Sequence, residues 1–301
     1  RETEVARSIN SERENTLFLS GVILPSGIQA TTELSEMVSV DVLMLVVPSQ
    51  YLRGICGALA PYLTPSIPLV ICAKGVETGS GALMTEIVEF ILPKHQYAVL
   101  SGPTFAAEVA RHKPAAVTLA CHDTELGKLL IEALGTPGFR IYQSTDVIGV
   151  EIGGAVKNVI AIACGIVEGR SLGESARAAI ITRGLAEMAR LSRAKGGRPE
   201  SLMGLAGIGD LTLTCNAIQS RNFSLGVALG AGQKLDQVLA SRTSVAEGLD
   251  TAASIDALAS SLKVDAPICS AVNSIVNLGA DTESTISNLL ARPVGSDSPL
   301  D

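Results

Sequence analysis

The chain has 301 residues, enough for two domains and a large core. Hydrophobic residues make up 47% and aromatic residues 3%, so the core must consist mainly of Ala, Val, Leu and Ile. The formal net charge of -7 argues against a general nucleic-acid or anionic-membrane surface. We therefore expect no nucleic-acid partner, and any anionic ligand should be small.

The N-terminal part alternates apolar strand patterns with helical ones. Residues 1–11 predict a short amphipathic helix. The predicted strands that follow are 40–47, 69–73, 97–100, 115–120 and 139–143, and the predicted helices between them are 49–63, 82–92, 105–111 and 124–134. Strands apolar on both faces and separated by helices indicate an α/β fold with a doubly wound, mainly parallel sheet.

The C-terminal part shows helical patterns alone. The predicted helices are 147–167, 173–195, 199–203, 221–231, 235–240, 247–262, 267–278 and 281–290. The change of pattern falls between Thr145 and Ile148. We therefore predict a Rossmann-like domain, a fold that binds dinucleotides, at 1–146 and an all-helical domain at 147–301.

A dinucleotide-binding sheet opens with a strand and a G-x-G-x-x-G turn whose backbone amides meet the pyrophosphate. The sequence contains no such turn. We expect that the first β-α-β unit is missing from this chain, which leaves the Rossmann-like domain N-terminally incomplete.

One ionisable residue, Lys157, interrupts the apolar stretch EIGGAVKNVIAIACGIVE at 151–168. A helix that is apolar nearly all round is buried, and a buried ammonium needs a partner or a chemical role. The alternatives are that its charge reaches water along the side-chain stem or pairs with a structural carboxylate. Gly153 and Gly154 predict very close packing one turn earlier.

Neither a membrane nor a metal is expected. The longest apolar runs are short or contain Lys157, below the ~20 residues that a membrane helix needs. The six cysteines form no CxxC pair and predict buried free thiols, and the three histidines lack metal-ligand spacing.

Two polar clusters follow predicted strands. Lys74 in AKGVE lies at the carboxyl end of a strand, the edge where open α/β sheets bind ligands. Gly102 and Thr104 in LSGPTFA lie between a strand and a helix, so Thr104 is a predicted N-cap beside amides that could face an anion. A solvated lysine and a cap without a ligand are the simpler alternatives.

Two further clusters lie in the helical part. Asp210 stands in the otherwise apolar, glycine-rich GLAGIGDLTLTC, and a buried carboxylate there would pair with Lys157. Ser220, Arg221 and Asn222 open a helix, and a hydroxyl, an arginine fork, an amide and helix N-terminal amides together predict a phosphate site.

Several segments in register resemble the bacterial NAD(P)-dependent glycerol-3-phosphate dehydrogenase family: AKGVE, LSGPTFAAEV, EIGGAVKNVIAIACGI, ITRGLAEM, MGLAGIGDLTLTC and SRNFSLG. The resemblance implies reversible hydride transfer between NAD(P)H and the C2 carbonyl of dihydroxyacetone phosphate, giving sn-glycerol 3-phosphate for phospholipid synthesis. It also implies a cytoplasmic homodimer with a small phosphorylated substrate and no metal. The choice between NADP and NAD stays open.

The resemblance also assigns the site residues. Lys157 is the implied general acid and base, with Asp210 orienting it and Lys74 as a further catalytic residue. The implied substrate-binding residues are Lys74, Gly102, Thr104, Lys157, Asn158, Asp210, Thr214, Ser220, Arg221 and Asn222. The implied cofactor-binding residues are Lys74, Ala106, Arg221, Val245 and Glu247.

Two other functions are compatible with the pattern. One is a different two-domain dehydrogenase that acts on a hydroxy acid or a coenzyme A thioester, but the cluster at Ser220 favours a phosphate-bearing substrate. The other is a non-catalytic metabolite sensor, supported by the missing glycine-rich turn. The presence of Lys157, Asp210 and Arg221 together weighs against the sensor.

Overall fold

The computed structural model describes residues 2–242 and 246–293. Its strands are β1 (Leu43–Leu45), β2 (Leu69–Ile71), β3 (Tyr97–Ser101), β4 (Ala115–Ala120) and β5 (Phe139–Ser144). The helices of the same part are α1 (Thr3–Glu12), α2 (Leu52–Leu59), α3 (Met84–Ile91), α4 (Ala106–Val109) and α5 (Thr124–Leu134). The predicted β-α alternation is confirmed, although β1 is shorter than the predicted strand at 40–47.

The five strands lie side by side in chain order, and helices cover both faces of the sheet. Three of the four strand pairs are parallel, and β3 pairs with β4 antiparallel. Leu69 and Ile71 of β2 pack with α2 and α3, while Val70 between them packs with α5 on the opposite face. The doubly wound, mainly parallel sheet is therefore confirmed.

Helices make up the rest of the described chain, apart from the segments that connect them. Its helices are α6 (Val147–Gly169), α7 (Glu174–Ala194), α8 (Asp210–Asn216), α9 (Arg221–Gly230), α10 (Leu235–Ala240), α11 (Gly248–Leu262), α12 (Pro267–Val276) and α13 (Thr282–Leu290). A 3-10 turn at Pro199–Met203 replaces one predicted helix, and a π-helical turn at Leu205–Gly209 leads directly into α8. The sequence patterns did not predict α8.

Helix α6 is the centre of the helical part. Asp146 caps it: one carboxylate oxygen accepts the Gly149 N–H at 3.0 Å, and the other accepts the Arg198 N–H at 2.9 Å. The prediction that no apolar segment reaches membrane length is wrong, because α6 is long and apolar enough by composition. However, 94% of that stretch is buried by other parts of the fold, as expected of a core helix.

Helices α6 and α9 cross in backbone contact. A Cβ atom added at Gly226 of α9 would overlap the Ile162 carbonyl oxygen of α6, and one added at Gly165 of α6 would overlap the Phe223 carbonyl oxygen. Only glycine allows this approach. The crossing brings the N-terminus of α9 beside the middle of α6, where Lys157 lies.

Candidate active site

A buried cluster of three charges lies between the sheet and the helices. Lys157 Nζ lies 2.5 Å from one carboxylate oxygen of Asp210, and Lys74 Nζ lies 2.8 Å from the other. Asp210 is 0% exposed and Lys157 only 7%. One carboxylate therefore neutralises part of the charge of two ammonium groups that would otherwise be costly to remove from water. The predicted pairing of Lys157 with Asp210 is confirmed.

The backbone packs tightly around this cluster. A Cβ atom added at Gly153 of α6 would lie 2.5 Å from the Ala206 carbonyl oxygen in the π-helical turn, so that turn rests directly on α6. At Gly154 the added atom would lie 3.4 Å from Cγ of Lys74. The close packing predicted at both glycines is confirmed. It places Asp210, the first residue of α8, opposite Lys157.

Burial and the neighbouring charges set the protonation states of the cluster. Burial, reinforced by the like charge of Lys74, lowers the pKa of Lys157 to about 8, although Asp210 acts in the opposite direction. Burial alone would raise the pKa of Asp210, but Lys74 and Lys157 outweigh it and hold that pKa below its usual value. Asp210 is therefore ionised near neutral pH, where the Lys157 amine can gain or lose a proton.

One hydroxyl group borders the Lys157 amine besides the Asp210 carboxylate. Thr214, one turn after Asp210 on α8, accepts a hydrogen bond from Lys157 Nζ at 3.2 Å and donates one to Asp210 at 3.3 Å. Asn158 follows Lys157 on α6 and is 5% exposed. The amine is thus held between a carboxylate and a hydroxyl.

A second polar region lies at the start of α9. Ser220 is the N-cap, and its hydroxyl accepts the Phe223 N–H at 3.2 Å. Asn222 is buried, and its side-chain oxygen accepts the Gly248 N–H at 3.0 Å, which ties α9 to α11. Arg221 is the first helical residue and is exposed. This N-terminus presents a guanidinium to solvent beside backbone amides.

Glu247 links the two regions electrostatically. Its carboxyl precedes α11, and burial raises its pKa, while the charges of Arg221, then Lys74 and Lys157, lower it. All three cations therefore act on this carboxyl through their charge. The predicted residue Val245 lies outside the described residues.

The loop after β3 borders the cluster through Pro103, whose Cγ lies 3.6 Å from a Cβ atom added at Gly209. Gly102 packs on β4, where an added Cβ atom would lie 2.8 Å from Val117 Cα. The predicted N-cap role of Thr104 is wrong. Helix α4 has only four residues, from Ala106 onward, and its N-cap is Phe105, which makes no side-chain cap bond.

Comparison with known proteins identifies the family. The model of the NAD-dependent glycerol-3-phosphate dehydrogenase N-terminus matches residues 1–127, and that of the C-terminus matches residues 146–287. The chain is 54% identical to glycerol-3-phosphate dehydrogenase (NAD(P)+) of Rhodospirillum rubrum, across 100% of this chain and 87% of that protein. It belongs to the NAD-dependent glycerol-3-phosphate dehydrogenase family.

A second relative and a solved structure agree with this assignment. The corresponding protein of Caulobacter vibrioides is 51% identical across 98% of this chain and 89% of its own length. The crystal structure of glycerol-3-phosphate dehydrogenase from Coxiella burnetii superposes with a TM-score of 0.93 at 37% identity, covering 97% of this chain and 90% of that one. The chain is accordingly an NAD(P)-dependent oxidoreductase that acts on a small phosphorylated substrate.

In this member of the family, the structure gathers Lys74, Lys157, Asp210 and Thr214 into one hydrogen-bonded group. No group of three metal-ligating side chains forms within residues 2–242 and 246–293. The sequence analysis overlooked Glu151, a buried carboxylate on α6 that accepts from the Thr85 amide at 3.0 Å and the Thr85 hydroxyl at 2.6 Å. The signal was present, because Glu151 opens the same apolar stretch as Lys157.

Proposed function

We propose that Lys157 is the general acid and base in the interconversion of dihydroxyacetone phosphate and sn-glycerol 3-phosphate. The observation that carries the proposal is a buried amine, with a pKa of about 8, held between Asp210 and Thr214. In the reductive direction the Lys157 ammonium polarises the C2 carbonyl and donates a proton to its oxygen. In the oxidative direction the neutral amine accepts the proton of the C2 hydroxyl.

The neighbours of Lys157 orient the amine and the substrate. Asp210 fixes the position of Nζ through its 2.5 Å contact, and Lys74 shares the same carboxylate. Lys74 acts beside Lys157 as the second catalytic cation. We assign the binding of the substrate oxygens near the reacting carbon to a set of five residues. They lie on α6, on α8 and in the loops after β2 and β3. This set consists of Lys74, Gly102, Thr104, Asn158 and Thr214.

The phosphate group is assigned to the start of α9. Arg221 supplies an exposed guanidinium, and Ser220 and Asn222 hold the first turn in place through their bonds to Phe223 and Gly248. A helix N-terminus and a guanidinium both favour a phosphate dianion. Anchoring the phosphate there fixes the distance from the carbonyl to Lys157.

The residues present also fit a dinucleotide. Lys74 suits one of its phosphates, and the Glu247 carboxyl, whose pKa the charges of Arg221 and Lys74 lower, is an acceptor for hydroxyl or amide groups. We assign Lys74, Ala106, Arg221, Val245 and Glu247 to the cofactor side. NAD(P)H, when bound, supplies the hydride. The chain's own contribution is to hold the cofactor beside the Lys157 amine.

We further propose that residues 1–146 and 147–301 act as separate sheet and helical domains with the substrate between them. Strand β5 ends at Ser144 and α6 begins at Val147, which supports a boundary there. A homodimer in the cytoplasm that supplies glycerol 3-phosphate for phospholipid synthesis completes the proposal. Membership of the family supports the homodimer, the cytoplasmic location and the role in phospholipid synthesis.

The first test is cofactor absorbance in the full-length enzyme mixed with NADPH or NADH, with dihydroxyacetone phosphate added last. We expect oxidation that requires the ketone phosphate, and the ratio of the two rates gives the cofactor preference. Binding of the ketone phosphate without oxidation of either cofactor would contradict the proposed reaction and favour a metabolite sensor.

A further inference from the structure

The loop that carries Lys74 is held by a side chain with no role in the proposed chemistry. Gln50 lies in a 3-10 turn at Ser49–Tyr51, just after β1. Its amide nitrogen donates to the Val76 carbonyl oxygen at 2.9 Å, and its amide oxygen accepts the Thr78 N–H at 2.9 Å. Both ends of one amide are thus bonded to the backbone two to four residues after Lys74.

The same loop rests directly on the residue before Gln50. A Cβ atom added at Gly75 would overlap the side chain of Ser49, and the φ angle of Gly75 is 153°, which side-chain-bearing residues rarely adopt. The backbone beside Lys74 therefore approaches the turn as closely as glycine allows. Any residue with a side chain would push the loop away.

The opposite side of the loop meets the helical part. The hydroxyl groups of Thr78 and Ser254 of α11 lie 3.1 Å apart, and the buried Thr251 hydroxyl lies 3.4 Å from a Cβ atom added at Gly75. The loop is therefore fixed between the turn after β1 and α11. From this position Lys74 reaches Asp210, 136 residues away in sequence.

We infer that Gln50 is a positioning residue, which holds the loop at 74–78 so that the Lys74 ammonium stays on the Asp210 carboxylate. The inference rests on the proposed function, because it concerns the cluster that includes Lys157. The physical reason is that Lys74 has a long flexible side chain. Its ammonium stays within bonding distance of Asp210 only while its own backbone is fixed.

A misplaced Lys74 has a consequence that general destabilisation does not. The charged or ionisable groups facing Lys157 are Lys74 from the loop, Asp210 and Cys215 from α8, and Glu247 before α11. Among these, the ammonium of Lys74 lowers the pKa of Lys157. When Lys74 moves away, that effect is lost and the Asp210 carboxylate pairs with Lys157 only. The pKa of Lys157 therefore rises.

The test compares Gln50→Met with Gln143→Met in the full-length enzyme. Methionine keeps the shape of glutamine but makes neither loop bond. Gln143 is a matched control, because it lies on an exposed part of β5 in the same sheet. Its amide also donates to a backbone oxygen, the carbonyl oxygen of Thr124, at 2.8 Å. Hydrogen exchange of the peptide containing residues 75–80 reports the loop directly, and the pH dependence of glycerol 3-phosphate oxidation reports Lys157.

In the Gln50→Met variant we expect the backbone amides of this peptide to exchange hydrogen faster than in the wild type. We also expect kcat/KM to fall about tenfold and glycerol 3-phosphate oxidation to need a higher pH. Gln143→Met should match the wild type in all three. Faster exchange with an unchanged pH profile would overturn the inference and leave Gln50 a purely structural residue, as would normal exchange and normal kinetics.

A second variant tests the same inference in case Gln50→Met does not fold. Gly75→Ala pushes the loop off Ser49 without touching Gln50, and we expect the same shift of the oxidation profile to higher pH. An unshifted profile in this variant would overturn the inference. A wild-type enzyme whose oxidation rate shows no dependence on a group near pH 8 would instead refute the role proposed for Lys157, whatever the Gln50 variant does.

Discussion

The two charged regions of the site differ most in their access to water. The cluster of Lys157, Asp210 and Lys74 is the more closed region, with Asp210 0% exposed, and its one carboxylate offsets part of the charge of two ammonium groups. The start of α9 is open, and Arg221 is exposed there. Burial shifts a pKa, whereas an exposed guanidinium can bind a ligand that arrives from solvent. The closed region therefore suits proton transfer, and the open region suits holding a phosphate.

The largest effect on activity should come from removing the amine of the closed region. Lys157→Met should lower kcat by about a thousandfold or more while changing KM for dihydroxyacetone phosphate little, because no other described group takes the place of the acid and base. Steady-state kinetics of the purified variant measure this. Lys128→Met, which removes an exposed lysine paired with Glu125, is the control and should behave as wild type.

Next in size is the loss of the shared carboxylate. Asp210→Asn leaves the buried Lys157 ammonium and the partly exposed Lys74 ammonium without their shared counter-charge, and we expect a loss of about 3–5 kcal/mol in the free energy of unfolding. It should also lower the pKa of Lys157, because Asp210 raises it. Urea denaturation and the pH dependence of oxidation measure the two effects. Unchanged stability would show that the cluster is hydrated rather than closed.

The open region should respond in KM rather than in kcat. Arg221→Ala should raise KM for dihydroxyacetone phosphate about tenfold to a hundredfold, because one charged hydrogen-bonding partner of the phosphate is lost. KM for NAD(P)H should rise much less. Equal increases for substrate and cofactor would contradict the assignment of the phosphate to this helix terminus.

The smallest effect on turnover is expected from a buried carboxylate outside both regions. Burial raises the pKa of Glu151 to about 7 from an ordinary value of 4.5, so the folded protein holds an extra proton between these pH values. The free energy of unfolding therefore falls as pH rises through this range. Glu151→Gln should reduce that fall and leave kcat near the wild-type value.

Urea denaturation at pH 5 and pH 8 compares the two proteins. The free energy of unfolding of the Glu151→Gln variant relative to wild type should increase with pH and become constant above about 7. Glu187, another buried carboxyl with a pKa raised to about 7, titrates in both proteins and contributes equally to their pH dependence. An identical pH dependence in the two proteins would show that Glu151 is ionised throughout.

The sequence predicted the closed region better than its surroundings. A lysine in an apolar helix and an aspartate in an apolar segment each need a partner, and that argument alone predicted the contact of Lys157 with Asp210. Lys74 could not be distinguished from a surface lysine, because only the loop geometry brings it to Asp210. Helix α8 was missed because the preceding glycines are poor helix formers, and the packing of Ala206, which lies among them, on Gly153 determines the backbone there.

Two other outcomes depended on backbone geometry that side-chain patterns do not report. Thr104 has the right residue type for an N-cap, but α4 begins two residues later and is too short to need it. Gln50 resembles any polar residue after a strand. Its importance appears only when the loop after the neighbouring strand is in place, since parallel β1 and β2 end at the same edge of the sheet.

The most direct test of the central claim is the pH dependence of kcat/KM for glycerol 3-phosphate oxidation in the wild-type enzyme. We expect the oxidation rate to rise with pH through about 8, as the Lys157 ammonium loses its proton, and the rate of ketone reduction to fall over the same range. An oxidation rate that does not change between pH 7 and pH 9 would contradict the assignment of Lys157 as the base.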